Sequence, residues 1–151
     1  MRILVTGGAG YVGSTVVPML LEQGHRVRVL DSLKFGGHGL LPCCSNRFFE
    51  LSKGDVCDPA SVKTALDGMD AVIHLAAIVG YPACKKEPQL AQAINVDGTA
   101  NLLRHRKPDQ KVLFASTGSS QSRSVRSRRK RNKFLVPWGP LWCCVAFSRV
   151  Y

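Results

Sequence analysis

The sequence predicts an α/β chain built on a doubly wound parallel sheet, truncated after about the fifth strand. Three observations predict it. From residue 1 to about 118, short β-branched runs alternate with helix-like stretches, the pattern of strands joined by crossover helices. A glycine-rich run, TGGAGYVGS at residues 6–14, directly follows the first such strand and opens the first helix. An acidic residue, Asp31, ends the second strand (VRVLD), 21 positions beyond Gly10. Together these predict a Rossmann-type sheet with strand order 3-2-1-4-5 and helices on both faces.

Taken in order, the strands are expected at Arg2–Thr6, Arg26–Leu30, Phe48–Ser52, Ala71–Leu75 and Lys111–Ser116. Helices are expected near residues 11–23, 59–68 and 88–106, with a Gly/Pro-containing loop over 32–46. The second helix carries its own start signal. Asp58 can accept from the orphan amides of the first turn, and Pro59 suits the first helical position. Gly68 closes it. Pro18 falls inside the first helix and should kink it or loosen one hydrogen bond.

After Ser119 the texture changes. The stretch SSQSRSVRSRRKRN has no apolar period, and LVPWGPLWCCVAF has apolar residues without a period of 2 or 3.6. The chain therefore divides into a dinucleotide-binding domain over 1–119 and a basic tail over 120–151, expected to be poorly ordered.

Composition narrows the function. At 151 residues, 45% hydrophobic and 21% charged, the chain is of globular rather than disordered type. No run approaches the roughly 18 apolar residues of a membrane span, which excludes that class. The N-terminus enters a strand at once and breaks at Gly7, which leaves no room for a signal peptide, so a cytoplasmic location is expected. The net charge of +11 is unevenly placed. Residues 1–119 hold 13 Lys/Arg against 10 Asp/Glu, whereas residues 120–151 hold 8 Lys/Arg and no acid. The six cysteines form no C-x-x-C pair of the zinc or redox kind, and no metal site is expected.

The glycine run has a steric purpose. A pyrophosphate must approach the backbone amides at a helix start, and any Cβ there would hold it off. Gly7 allows the tight turn, Gly10 the close phosphate approach, and Gly13 close helix packing. A carboxylate at Asp31 suits an adenosine ribose and would repel the 2′-phosphate of NADP, so NAD is the expected cofactor.

Read with GDVCD at 54–58, HLAA at 74–77, NVDGT at 95–99 and FAST at 114–117, the chain resembles the NAD-dependent epimerase/dehydratase family of extended short-chain dehydrogenases. The resemblance covers residues 1–119 and implies nucleotide-sugar chemistry, with hydride transfer at a sugar carbon through NAD. It implies that Tyr11 and Val12 supply amides to the pyrophosphate. Asp55 and Val56 would flank the adenine, and Leu75, Ala76 and Ala77 would line the ribose and phosphates. Asn95 would hold water or backbone groups behind the active site. Thr117 would be the catalytic hydroxyl that hydrogen-bonds the sugar hydroxyl being oxidised. His74, inside the apolar AVIHLAA strand, reads as a core histidine rather than a catalyst.

The resemblance has a limit. The family uses a Tyr-x-x-x-Lys pair some 25 residues beyond the Ser/Thr, its Lys and the nicotinamide lowering the tyrosine pKa for proton abstraction. The corresponding position falls near Trp142, and no tyrosine lies between Tyr81 and Tyr151. The acid-free tail fits a shifted codon frame, the alternative being a genuine basic appendage. The expectation is the NAD-binding portion of a nucleotide-sugar epimerase or dehydratase, inactive alone. The alternative is a non-enzymatic NAD-binding protein whose basic tail grips nucleic acid, which the absence of interleaved aromatics disfavours. Homodimerisation through helices of the cofactor domain is a further property of such families.

Overall fold

The computed structural model describes residues 1–115 and 148–150. Among these described residues six strands form one sheet: β1 (Arg2–Thr6), β2 (Arg26–Asp31), β3 (Phe49–Lys53), β4 (Ala71–His74), β5 (Lys111–Phe114) and β6 (Ser148–Val150). Their spatial order is β3-β2-β1-β4-β5-β6. The first five strands are parallel, in the expected order. The sixth was not anticipated: it pairs antiparallel with β5, Leu113 facing Arg149, so β5 is not the free edge that truncation after five strands implies. The rest of the proposed tail, and the expected end of the fifth strand at Ser116, lie outside the described residues.

Helix α1 (Gly13–Glu22) follows β1, and α2 (Pro59–Leu66) follows β3. Asp58 caps α2 as its position predicts, its carboxylate accepting from the amides of Ala60 (3.3 Å) and Ser61 (2.9 Å). Pro18 lies inside α1, which runs through it unbroken. The long helix expected over 88–106 is instead three pieces: α4 (Pro88–Gln92), a π-helical turn at Ala93–Gly98, and α5 (Thr99–His105). A short helix α3 (Tyr81–Lys86) precedes them, and a 3₁₀ turn (His38–Cys43) occupies the loop after β2.

Strand side chains alternate between two cores. Leu4, Leu30, Val72 and Val112 pack beneath α2 and α5 with Val62, Leu66 and Leu102. On the other face Ile3, Val5, Val27 and Val29 meet Val17 and Leu21 of α1 and Leu40 of the 3₁₀ turn. A sheet covered on both faces explains why neighbouring positions of the central strands are apolar together, as in Ile3-Leu4-Val5 of β1 and Ala71-Val72-Ile73 of β4.

Candidate cofactor site

Strand register brings the site together. Thr6 is paired with both Leu30 and His74, and His74 with Phe114, so the C-terminal ends of four neighbouring strands lie side by side. The chain order reverses between β1 and β4, which makes the crevice beyond these ends a topological switch point.

The glycine loop leaves β1 at Gly7, whose φ of 69° belongs to the left-handed region. A Cβ there would also lie 2.6 Å from the amide nitrogen of Ala76, so Gly7 is required twice, by its turn and by its contact with the chain beyond β4. Gly13 touches the loop itself: its Cβ would fall 2.5 Å from the Cα of Gly8. Gly10 differs. A Cβ there would meet only the carbonyl oxygen of Gly7, at 3.2 Å, and otherwise would point into open space.

The start of α1 lacks a side-chain cap. The amides of Ser14, Thr15 and Val16 turn back to Gly10 and Val12, whereas those of Tyr11 and Val12 find no acceptor among the described residues. Both residues are exposed. Unpaired amides at a helix start, reinforced by the helix dipole, form a ready-made anion site. The group that the glycine pattern implies therefore fits: the space that Gly10 leaves open lies beside amide donors without acceptors.

Asp31 closes the other side. Its Oδ2 accepts from the Ala9 amide at 3.0 Å and its Oδ1 from the Leu33 amide at 2.8 Å. The carboxylate thus ties the glycine loop to the turn after β2, where Leu33 takes a left-handed φ of 57°, a conformation unfavourable for a branched side chain. Each oxygen keeps a second acceptor site for a ribose hydroxyl.

Behind the crevice lies a buried polar chain. The Ala76 amide donates to Thr6 Oγ1 (3.3 Å), which lies 2.6 Å from His74 Nδ1. His74 Nε2 is 3.0 Å from Thr99 Oγ1, and Thr99 gives its hydroxyl proton to the Asn95 carbonyl at 2.8 Å. With that proton committed, Thr99 must accept from Nε2–H, which leaves Nδ1 to accept from Thr6. Burial holds the His74 pKa down to about 4, so the ring is neutral and takes this one tautomer. The Asn95 side chain then clamps Ile78, accepting from its amide (2.8 Å) and donating to its carbonyl (2.9 Å). The segment Leu75–Ile78 is pinned from both ends.

Asp55 and Val56, neighbours in the chain, differ in burial. Asp55 is exposed and accepts from the Cys57 amide at 2.9 Å. Val56, its neighbour, is 5% exposed and belongs to the apolar core, and its carbonyl accepts from Asn101 Nδ2 at 2.9 Å. Thr117 lies outside the described residues, as does the Trp142 region. Sequence reading passed over one pair: the Tyr-x-x-x-Lys spacing occurs at Tyr81 and Lys85, one turn apart on α3, ahead of β5 rather than behind it. The spacing alone could have flagged it. An ion pair from Lys34 Nζ to Glu87 Oε2 (3.5 Å) joins the connection after β2 to the α3–α4 junction.

Residues 3–134 match the NAD dependent epimerase/dehydratase family. The chain belongs to that family. It is 34% identical to a UDP-glucose 4-epimerase of Halalkalibacterium halodurans, an alignment covering 100% of this chain and 48% of the relative. A 3 beta-hydroxysteroid dehydrogenase/Delta 5-->4-isomerase of Mycobacterium tuberculosis is 38% identical, over 78% of this chain and 32% of its own length. Among solved structures, the Thermus thermophilus UDP-glucose 4-epimerase in complex with NAD superposes with a TM-score of 0.69 at 35% identity, covering 78% of this chain and 38% of that one. The family member therefore spans about a third to a half of these relatives. NAD, the family's cofactor, fits the cradle described above. No helix among the described residues is long and apolar enough to cross a membrane.

Proposed function

We propose that this chain is the NAD-binding portion of a nucleotide-sugar epimerase or dehydratase. One observation carries the reading: the acceptor-free amides of Tyr11 and Val12 and the Asp31 carboxylate converge on one crevice, over a cradle that Gly10 leaves open. In this reading the two amides hold the pyrophosphate and Asp31 the adenosine ribose. The pinned backbone at Leu75, Ala76 and Ala77 lines the ribose and phosphates, Asp55 and Val56 border the adenine, and Asn95 keeps the wall in place through Ile78. NAD, when bound, supplies the hydride acceptor. Thr117 orients the sugar hydroxyl.

The similarity to UDP-glucose 4-epimerases favours nucleotide-sugars. The similarity to a hydroxysteroid dehydrogenase supports a second reading, oxidation of a steroid hydroxyl with the same cofactor half. Either way the 151 residues alone are expected not to turn over substrate, because no Tyr-x-x-x-Lys pair follows Thr117 and general-base help typically supplies roughly 10²–10⁴-fold.

The test incubates the chain with NAD and a panel of UDP-, GDP- and dTDP-sugars plus a 3β-hydroxysteroid, following product. NAD binding without turnover is expected, and joining the second half of a relative should restore turnover of a nucleotide-sugar that depends on Thr117. Restored turnover of the steroid alone would favour the second reading. Turnover by the chain itself, abolished by Tyr81→Phe, would overturn the inactivity and move the base to α3.

A further inference from the structure

We infer a second anion site at the opposite end of the sheet: a cleft at the N-terminal ends of β1–β3 in which Arg26 and Arg47, held against the Phe48 ring, bind a small phosphorylated ligand. The cleft has a volume of about 580 Å³, within the range of small-molecule sites. Four arginines line it, Arg2, Arg26, Arg28 and Arg47, against one acid, Glu50.

Two of the four are already committed. Arg2 pairs with Asp70, Nη2 to Oδ1 at 3.1 Å, while its own amide donates to Oδ2 at 2.7 Å. Arg28 lies with Nε 2.9 Å from Glu50 Oε2, and its Nη1 donates to the carbonyls of Thr64, Ala65 and Asp67. Those carbonyls close the C-terminus of α2, where a cation also suits the helix dipole.

Arg26 and Arg47 are of another kind. Their guanidinium carbons lie 5.5 and 4.6 Å from the centroid of the Phe48 ring, and neither forms an ion pair among the described residues. A stacked guanidinium keeps its N–H donors, and its planar fork matches phosphate oxygens in pairs. Phe48 is half-buried, packed against the core beneath α1, so the ring is a fixed platform. Two unneutralised forks on one platform, in a cleft whose other charges cancel, select a ligand carrying at least two negative charges. The cleft is separate from the glycine loop. Arg26 begins β2 and Asp31 ends it, so the two sites are roughly 17 Å apart at the rise of a strand.

The test uses the whole 151-residue chain saturated with NAD, which fills the glycine loop, and titrates sodium pyrophosphate and ADP by calorimetry and NMR. The Nε–Hε signals of Arg26 and Arg47 and the Phe48 ring signals should shift with ligand. Arg26→Gln and Arg47→Gln should each weaken binding roughly tenfold or more, with NAD affinity and the circular dichroism spectrum unchanged. Phe48→Leu should weaken it while leaving both charges in place. Full pyrophosphate affinity in the Arg26→Gln/Arg47→Gln variant would overturn the site and assign binding to the basic tail. A single-stranded oligonucleotide that shifts the same signals more tightly than ADP at equal salt would overturn the small-ligand assignment.

Discussion

Thr6 Oγ1 lies 2.6 Å from His74 Nδ1, which joins the strand before the glycine loop to the strand before the Leu75–Ile78 wall. Their Cα positions are paired in the sheet, so the side chains repeat sideways a connection that the backbone already makes. The ring's other nitrogen faces Thr99, and a protonated imidazole would present two donors where this chain supplies one acceptor and one donor. The histidine is a positioning residue, and its neutral state is part of the wall.

A pH dependence follows from that neutrality. The His74 pKa falls from 6.5 to about 4 through burial, so the unfolded chain takes up its proton first on acidification. Stability attributable to His74 is complete above pH 6.5 and declines as pH falls toward 4. Below that it is constant, and the span is up to about 3 kcal/mol. Asp58 and Asp70, whose pKa values are lowered by their hydrogen bonds to Ser61 and Arg2, act below this window, where protonation removes those bonds. Urea titrations between about pH 4 and 7 should show the decline in the native chain. His74→Gln, which can still accept from Thr6 and donate to Thr99, should flatten it. An equal slope in both proteins would refute the assignment.

Much of this arrangement is legible in the sequence because short-range chemistry encodes it. The strand starts at Arg2, Arg26, Ala71 and Lys111 follow from β-branched runs bounded by Gly, Asp and Pro, and the α2 cap follows from Asp58-Pro59. What escapes the sequence depends on tertiary contacts. The six residues of α3, with Pro82 inside, are too few to establish a period. The π turn lies where Asn95 reaches across to Ile78, and π-helical turns of this kind cluster at functional sites. The core placement of Val56 is set by Gly98, where a Cβ would fall 2.8 Å from Val56 Cγ2. None of these has a local signature.

Asn95 gives a second prediction. Its side chain satisfies both backbone groups of Ile78, and truncation would leave an amide and a carbonyl unpaired inside the wall at about 1–3 kcal/mol. Asn95→Ala should therefore lower stability by that order and weaken NAD binding together, while Asn95→Asp retains the acceptor and half of the clamp. Hydrogen exchange at the Ile78 amide reports directly. Unchanged protection in Asn95→Ala would show that the clamp does not hold the wall.

The glycines separate folding from binding. Gly7→Ala demands a left-handed alanine and a 2.6 Å approach to Ala76, and Gly13→Ala a 2.5 Å approach to Gly8. Both variants should lose stability, by roughly 1–3 kcal/mol or more. Gly10→Ala meets only a carbonyl at 3.2 Å, so it should fold nearly as well as the native chain. It should nonetheless bind NAD at least roughly tenfold more weakly, because its methyl group occupies the phosphate approach. Thermal melts and NAD titrations on the three variants separate the roles. Native NAD affinity in Gly10→Ala would remove the phosphate from this loop.

Cofactor choice rests on Asp31. Its carboxylate is already oriented by the Ala9 and Leu33 amides at 3.0 and 2.8 Å, so it meets a ribose without reorganising. A ribose with free hydroxyls can donate to its remaining acceptor sites, whereas a 2′-phosphate brings negative charge against negative charge. NAD should therefore bind more tightly than NADP, and Asp31→Asn should narrow the gap by about tenfold, the effect of ~1.4 kcal/mol. The same change trades one of two amide-accepting oxygens for a donor, which loosens the hold on Ala9 or Leu33. NAD affinity should then fall even as NADP affinity rises, an opposition that general destabilisation would not produce. Parallel titrations with the two cofactors at fixed ionic strength decide it: NADP binding the native chain as tightly as NAD would defeat the role given to Asp31.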